Sequence, residues 1–309
     1  MNLPDNVKIR EVSTRDGFQS WPEFVPTDIK IKILNGVKDA GIKVFETTAF
    51  VSPKAVPQMA DAAEVIRLAP HDGVKHGALV PNLKGAQLAV DAGADQLNVV
   101  IAASEAHNKA NFNRTIAESL SYLEPIFKLA QDNNVEVIGA LTVAFGCPFS
   151  GKVDEKDVLR LVETYVSYGC NTVGLGDTTG MATPLRVKSL VGLIKDRFPE
   201  KEILLHLHNN RGSAMANLYA GMEAGATFFD TSLGGIGGCP NVPQASGNLA
   251  TEDVVCMLED MGIETGIKLD KLLKVAHYME DVLGQTLPGQ VLKSGPIFDI
   301  RDDKIDCSE

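Results

Sequence analysis

Apolar positions along the chain follow two alternating rhythms. Eight short runs are rich in β-branched and other apolar residues: KIREVS (8–13), KVFETTAF (43–50), KHGALVP (75–81), QLNVVIAAS (96–104), VEVIGALTVAF (135–145), TVGLGDT (172–178), EILLHLH (202–208) and ATFFDTSL (226–233). Each predicts a β-strand. Between most of them lie segments of helical period; in TDIKIKILNGVKDAG (27–41), Ile29, Ile33, Val37 and Ala40 share one face. A glycine recurs just before a strand, in AGI (40–42), AGA (92–94), YGC (168–170) and AGA (224–226). Glycine suits the left-handed position past a helix end, so the pattern reads as repeated helix, turn and strand units.

Eight strands alternating with helices indicate a parallel sheet, and about 250 residues is the usual size of a (β/α)8 barrel. The alternative is an open doubly wound sheet. Polar residues stand at the C-terminal ends of many strands, whereas an open sheet concentrates them at one switch point, so the barrel is preferred. The expected fold is α/β: a (β/α)8 TIM barrel over residues 1–262, then a C-terminal helical extension and tail over 263–309.

Composition narrows the function. Of 309 residues, 44% are hydrophobic, enough to bury a substantial core. Lys and Arg total 29 against 40 Asp and Glu, a net charge of −11. So acidic a surface lacks the positive footprint of a sequence-independent nucleic-acid binder, although a local pocket can still receive an anion. The first residues carry no apolar secretory run and no stretch reaches the length of a membrane span, so no membrane partner is expected. Five scattered cysteines (147, 170, 239, 256 and 307) form no CxxC pair and read as reduced thiols of a cytoplasmic protein.

The candidate chemistry sits where strands end. The first run leads into STRDGFQS with Arg15 and Asp16, the second carries Glu46, and the sixth ends in GLGDTTG with Asp177. The seventh holds His206 and His208, and after the eighth comes GGIGGCPNVPQASGN with Cys239 and Asn248. In a barrel all of these open onto one rim, the place of the fold's active sites. His206 and His208 share a strand face and can reach one cation together; one packed and one surface histidine is the plainer alternative. Strands one and seven are near neighbours in a closed barrel, so Asp16 can join them, and the Asn248 amide oxygen can complete a set of two nitrogens and two oxygens. Without a thiolate and with a carboxylate, that set suits Mg²⁺ or Mn²⁺ better than structural zinc, and an open coordination position makes the ion a Lewis acid. Arg15 can clamp an oxyanion or form a surface ion pair. Glu46 and Asp177 can be site acids or hydrogen-bonded structural carboxylates. The glycine stretch lacks a following GK[ST] and is read as a flap that delivers Cys239.

Taken in order, EVSTRDGFQ, VFETTAFVSPKAVPQM, AASE with KANFN, GCPFSGKV, LGDTTG, HLH and GGIGGCPNVPQASGNLATEDVV resemble the 3-hydroxy-3-methylglutaryl-CoA lyase family, metal-dependent TIM-barrel lyases. The resemblance implies Asp16, His206, His208 and Asn248 as metal ligands, Arg15 as the residue polarising the substrate carbonyl, and Cys239 as the loop's catalytic residue. It implies Glu46 and Asp177 as acids that orient or transfer protons, with His206 or Asp177 as base, and Gln19 as a substrate contact. An acyl-CoA substrate and a homodimer are implied likewise. This chain has Asn209 where the family commonly has an acid after HxH, RDGFQS for RDGLQN, and Ala106, His107 and Asn108 in place of bulkier apolar residues. Those departures touch the acyl group, for which citramalyl-CoA or a longer 3-hydroxy-3-alkylglutaryl-CoA is an alternative. A Claisen-condensing 2-oxo acid synthase shares the metal motif, and a non-catalytic barrel is the remaining reading.

Overall fold

The computed structural model describes residues 3–238 and 247–297. All eight expected strands form: β1 (Lys8–Glu11), β2 (Val44–Ala49), β3 (Lys75–Leu79), β4 (Gln96–Ala102), β5 (Glu136–Thr142), β6 (Thr172–Asp177), β7 (Glu202–Leu207) and β8 (Phe228–Thr231). Every neighbouring pair is parallel, and β8 pairs back onto β1, closing the barrel. The open doubly wound sheet is thereby excluded.

Helices return the chain between strands: α1 (Thr27–Ala40), α2 (Ala62–Leu68), α3 (Leu83–Ala92), α4 (Glu105–Phe112), α5 (Ile116–Asp132), α6 (Glu155–Ser167), α7 (Pro184–Arg197) and α8 (Ala214–Glu223). Local sequence fixes their ends. Gly41 and Gly93 take left-handed C-cap conformations after α1 and α3, as their place in the repeats predicts. Thr115 and Glu118 form a reciprocal capping box that starts α5. On α1, the buried face is Ile33, Leu34, Val37 and Ala40, together with the Lys30 stem, while Ile29 is half-buried. After β8 come α9 (Thr251–Asp260), α10 (Leu269–Leu283), which packs on α1, and the short α11 (Val291–Ser294).

Side chains inside the barrel are layered. Near the N-terminal end, Val44, Ile138, Leu204 and Phe228 form an apolar floor. Above it the strand alternation brings Arg10, Glu46, Asn98, Ala140, Gly174, His206 and Asp230 onto the cavity wall. An apolar plug beneath and a polar layer above confine solvent and ligands to the C-terminal mouth, so the fold itself fixes where chemistry can occur.

Candidate active site

Arg15 and Asp16 come from a single π-helical turn, Ser13–Gly17, that follows β1 rather than from the strand end itself. The amides of Asp16 and Gly17 both point back to Val12 O, at 2.8 and 3.3 Å, and the widened turn turns both side chains inward. From β2, Glu46 meets Arg15 through Oε2, with Arg15 Nε at 2.5 Å. Arg15 Nη1 donates to Asp16 Oδ1 at 2.7 Å and lies 3.5 Å from Gln19 Oε1. His206 and His208 both face inward from the end of β7, their Nε2 atoms 3.0 Å apart. Asp16 Oδ2 stands 3.9 and 3.8 Å from those nitrogens. The three residues form a potential metal-binding cluster.

Asn248 joins them because the segment after 246 runs back across two strand ends. Asn209 donates its amide to Gly247 O, His208 and Asn248 form an isolated bridge, and Ser232 donates to Leu249 O. Gly237 is needed for this approach: at its φ of +105° a Cβ would lie 2.6 Å from Asn248 Nδ2 and 3.0 Å from Asp16 O. Asn248 Nδ2 donates to Asp16 Oδ2 at 2.6 Å and to Ile236 O at 3.1 Å. Its Oδ1 is buried with no hydrogen-bond partner among the described residues. A buried acceptor without a donor is what a cation ligand looks like before the cation arrives. Two imidazole nitrogens 3.0 Å apart also fit neighbouring positions of an octahedral ion, since bonds of about 2.1 Å put such ligands about 3 Å apart. The donor set therefore fits a divalent metal.

Electrostatics agree with that fit. Burial opposes ionisation of Asp16, but Arg15 and then the two histidines outweigh it and hold the carboxyl well below the usual range. Burial, then the neighbouring His206 charge, pushes His208 down to about 4, leaving a neutral ring with a lone pair to offer. For His206 burial is overcome by the hydrogen bond and charge of Asp230 and the charge of Asp16, which raise it.

Around these groups lies a cavity of about 350 Å³ lined by Arg15, Asp16, Gln19, Glu46, His206 and His208, among others. Asp177 is absent from that lining. Its Oδ1 accepts the amides of Met181 and Ala182 at 2.7 and 2.9 Å, so it shapes the turn after β6, while Gly174, Gly176 and Thr178 face the cavity instead. Burial, partly offset by those amides, pushes it up to about 6. Cys239 lies outside the described residues. Three charged or amide groups of the inner layer were not singled out from sequence: Arg10, Asn98 and Asp230. The available signal was a polar residue at an alternate position inside each of three apolar runs.

A closed parallel barrel with two histidines, a carboxylate and an unpartnered amide oxygen at its C-terminal mouth defines a TIM-barrel enzyme with a candidate metal site. A family model, HMGL-like, matches residues 6–279, and the chain belongs to that family of lyases. It is 41% identical over 298 residues to a hydroxymethylglutaryl-CoA lyase of Bacillus subtilis, covering 95% of this chain and all of the relative. With the human mitochondrial hydroxymethylglutaryl-CoA lyase it shares 41% identity, covering 94% and 90%. A solved HMG-CoA lyase of Acinetobacter baumannii, in complex with coenzyme A and 3-methylmalate, superposes with a TM-score of 0.92 at 42% identity, covering 97% and 99%.

Proposed function

We propose that the protein cleaves 3-hydroxy-3-methylglutaryl-CoA to acetyl-CoA and acetoacetate, with Mg²⁺ or Mn²⁺ held by Asp16, His206, His208 and Asn248. The observation that carries this reading is the convergence of those four residues, with one orphaned oxygen, beside a buried arginine in a cavity of a lyase-family barrel. Bound there, a divalent cation supplies Lewis acidity to the substrate's C3 hydroxyl and orients its carboxylate.

The chain's residues account for the remaining steps. A base takes the C3 hydroxyl proton. Of the two expected, Asp177 is absent from the cavity lining. His206 lines it but has no lone pair to spare while Nε2 holds the cation and Nδ1 faces Asp230, so the base is a group other than a cation-bound His206. The electron pair of that O–H bond becomes the second bond of the new ketone, and the C2–C3 bond breaks. Its electrons pass to C2 and the thioester oxygen as the enolate of acetyl-CoA. Arg15 offsets the charge on that oxygen, and its own guanidinium is preorganised by Glu46 and Asp16, so no reorganisation is required during the reaction. Gln19 lines the same wall as a substrate contact. A proton then quenches the enolate to give acetyl-CoA; the resemblance assigns that role to Cys239, which lies outside the described residues.

Three free thiols among the described residues, Cys147, Cys170 and Cys256, suit a reducing compartment such as the cytoplasm, and no described helix is long and apolar enough to cross a membrane. The homodimer implied by the resemblance is read by light scattering of the purified protein. The function is tested by supplying Mg²⁺ and a panel of thioesters: 3-hydroxy-3-methylglutaryl-CoA, citramalyl-CoA and a longer 3-alkyl homologue. Acetyl-CoA release fastest from the first supports the reading. Release from another member alone reassigns the acyl group, and free CoA from a 2-oxo acid with acetyl-CoA would make the protein a condensing synthase instead.

A further inference from the structure

Arg10, Asn98 and Asp230 line the cavity, yet the reaction as derived asks nothing of them. Arg10 on β1 is in register with Asp230 on β8, and Asp230 is in register with His206 on β7. Adjacent strands lie about 4.8 Å apart, so the three inward side chains stand in one row. Asp230 receives Arg10 Nε at 2.6 Å on Oδ1 and Nη2 at 2.8 Å on Oδ2, a two-pronged pairing. Its Oδ2 also lies 2.9 Å from His206 Nδ1. An ionised carboxylate only accepts, so that ring nitrogen carries the proton, and when the ring is neutral Nε2, on the cavity side, is the nitrogen that keeps a lone pair.

The row is itself held from the side. Arg10 Nη1 donates to Asn98 Oδ1 at 3.0 Å, and Asn98 Nδ2 donates to Glu46 Oε1, which leaves the amide one orientation. Glu46 in turn holds Arg15, and Arg15 holds Asp16. Donor meets acceptor at every junction from His206 through Asp230, Arg10, Asn98, Glu46 and Arg15 to Asp16. A lysine in place of Arg10 could not supply three N–H groups in fixed directions.

We propose that Arg10, acting through Asp230, is a positioning residue that keeps His206 in the single tautomer and ring orientation able to bind a divalent cation. Asn98 joins this arm of the site to the arm that holds Arg15. The inference rests on the lyase reading for the purpose of the cation, but its test needs no turnover.

Metal-free protein labelled with ¹⁵N at histidine is examined at mildly alkaline pH, where long-range ¹⁵N–¹H spectra report the tautomer of each ring; loss of one signal in His206→Gln assigns His206. Mn²⁺ affinity is titrated on the same samples. The wild type is expected to show His206 protonated on Nδ1 alone. In the double variant Arg10→Leu/Asp230→Leu, which leaves neither charge buried without its partner, the ring is expected to show both tautomers. Its Mn²⁺ dissociation constant is expected to rise by about 10- to 100-fold, the usual loss when a partner behind a ligand is removed. Arg10→Lys is expected to fall between. Should the double variant not fold, Asp230→Asn serves with the same two readouts. A folded variant that keeps the single tautomer, or binds Mn²⁺ as tightly as the wild type, overturns the proposal. Absence of thioester cleavage with these two results intact would count against the lyase reading alone.

Discussion

The two ends of the barrel use the same residue types to opposite effect. At the N-terminal end, Lys75 pairs with Glu136 and Lys8 with Glu202. Deeper inside, toward the other mouth, Arg10 pairs with Asp230 and Arg15 with Glu46. The Lys75 and Glu136 side chains are 50% and 54% exposed, whereas those of Arg10 and Asp230 are 3% and 2% exposed. Water screens the first pair and repays little for its formation. The second is desolvated, so each charge depends on its partner and the pair has a fixed geometry. Between the two lies the apolar floor of Val44, Ile138, Leu204 and Phe228. One end presents its charges to water; the other aims hydrogen bonds and charges into the cavity. Arginine rather than lysine serves the buried end because a planar fork can satisfy two acceptors at once.

Removing the buried cation next to the reacting groups should have the largest effect. Arg15→Met is expected to lower kcat by about 10²- to 10³-fold with KM and Mn²⁺ binding little changed, because the clamp acts on charge that develops in the transition state. Steady-state kinetics with 3-hydroxy-3-methylglutaryl-CoA measure it; a large rise in KM with kcat preserved would contradict the assigned role.

A second contrast concerns the buried carboxyls that hold the turn at Leu233 and Gly234. Glu252 accepts the Gly234 amide at 3.0 Å through Oε2, but its Oε1 has no partner among the described residues, and burial pushes it up to about 8. Nearby Glu11 accepts the amides of Ser13 and Leu233 and the Thr251 hydroxyl; burial still raises it. For Glu252 the folded value exceeds the unfolded one, so its contribution is fully present below about pH 4.5 and is lost as pH rises through about 8. Glu252→Gln mimics the protonated form. Between pH 6 and pH 9 the wild type should therefore lose about 3 kcal/mol more stability than the variant, read by denaturant titration at both values. Parallel pH profiles for the two proteins would show that Glu252 titrates normally.

The smallest effect belongs to the exposed end. Lys75→Ala should cost under about 0.5 kcal/mol and leave metal affinity unchanged, and the same denaturant titration and a Mn²⁺ titration check it. A loss comparable to that of a buried pair would erase the contrast between the two ends.

How much of this was legible in the sequence depended on whether a pattern repeats. Eight strand runs and the glycines that precede several of them repeat along the chain, so the βα units emerged from periodicity, and the polar residues at many strand ends favoured a barrel over an open sheet. The proposed cation ligands were legible in part: His206 and His208 share one strand face, and Asp16 lies in the turn just past the first strand, while Glu46 lies within the second. Asp177 shows the limit of that reasoning: a strand end locates the rim but not the face, and Asp177 falls one residue out of step with the inward Gly176 and Thr178. Arg10 and Asp230 stayed hidden for a related reason. Each lies in a strand of four residues, too short for alternation to declare which face is inside, and their partnership depends on closure of β8 onto β1. Across 220 positions no local pattern predicts that contact. The π-helical turn that carries Arg15 and Asp16 likewise has no single-residue signal.

The central claim is that one divalent ion is shared by residues from the first strand's turn, the seventh strand and the segment after the glycine loop. A crystal grown with Mn²⁺ and examined for anomalous scattering tests it most directly. The account predicts one peak per chain, about 2.0–2.4 Å from an Asp16 carboxylate oxygen, from Nε2 of His206 and His208, and from Asn248 Oδ1. A peak bound elsewhere, or an empty mouth at saturating Mn²⁺, would contradict it.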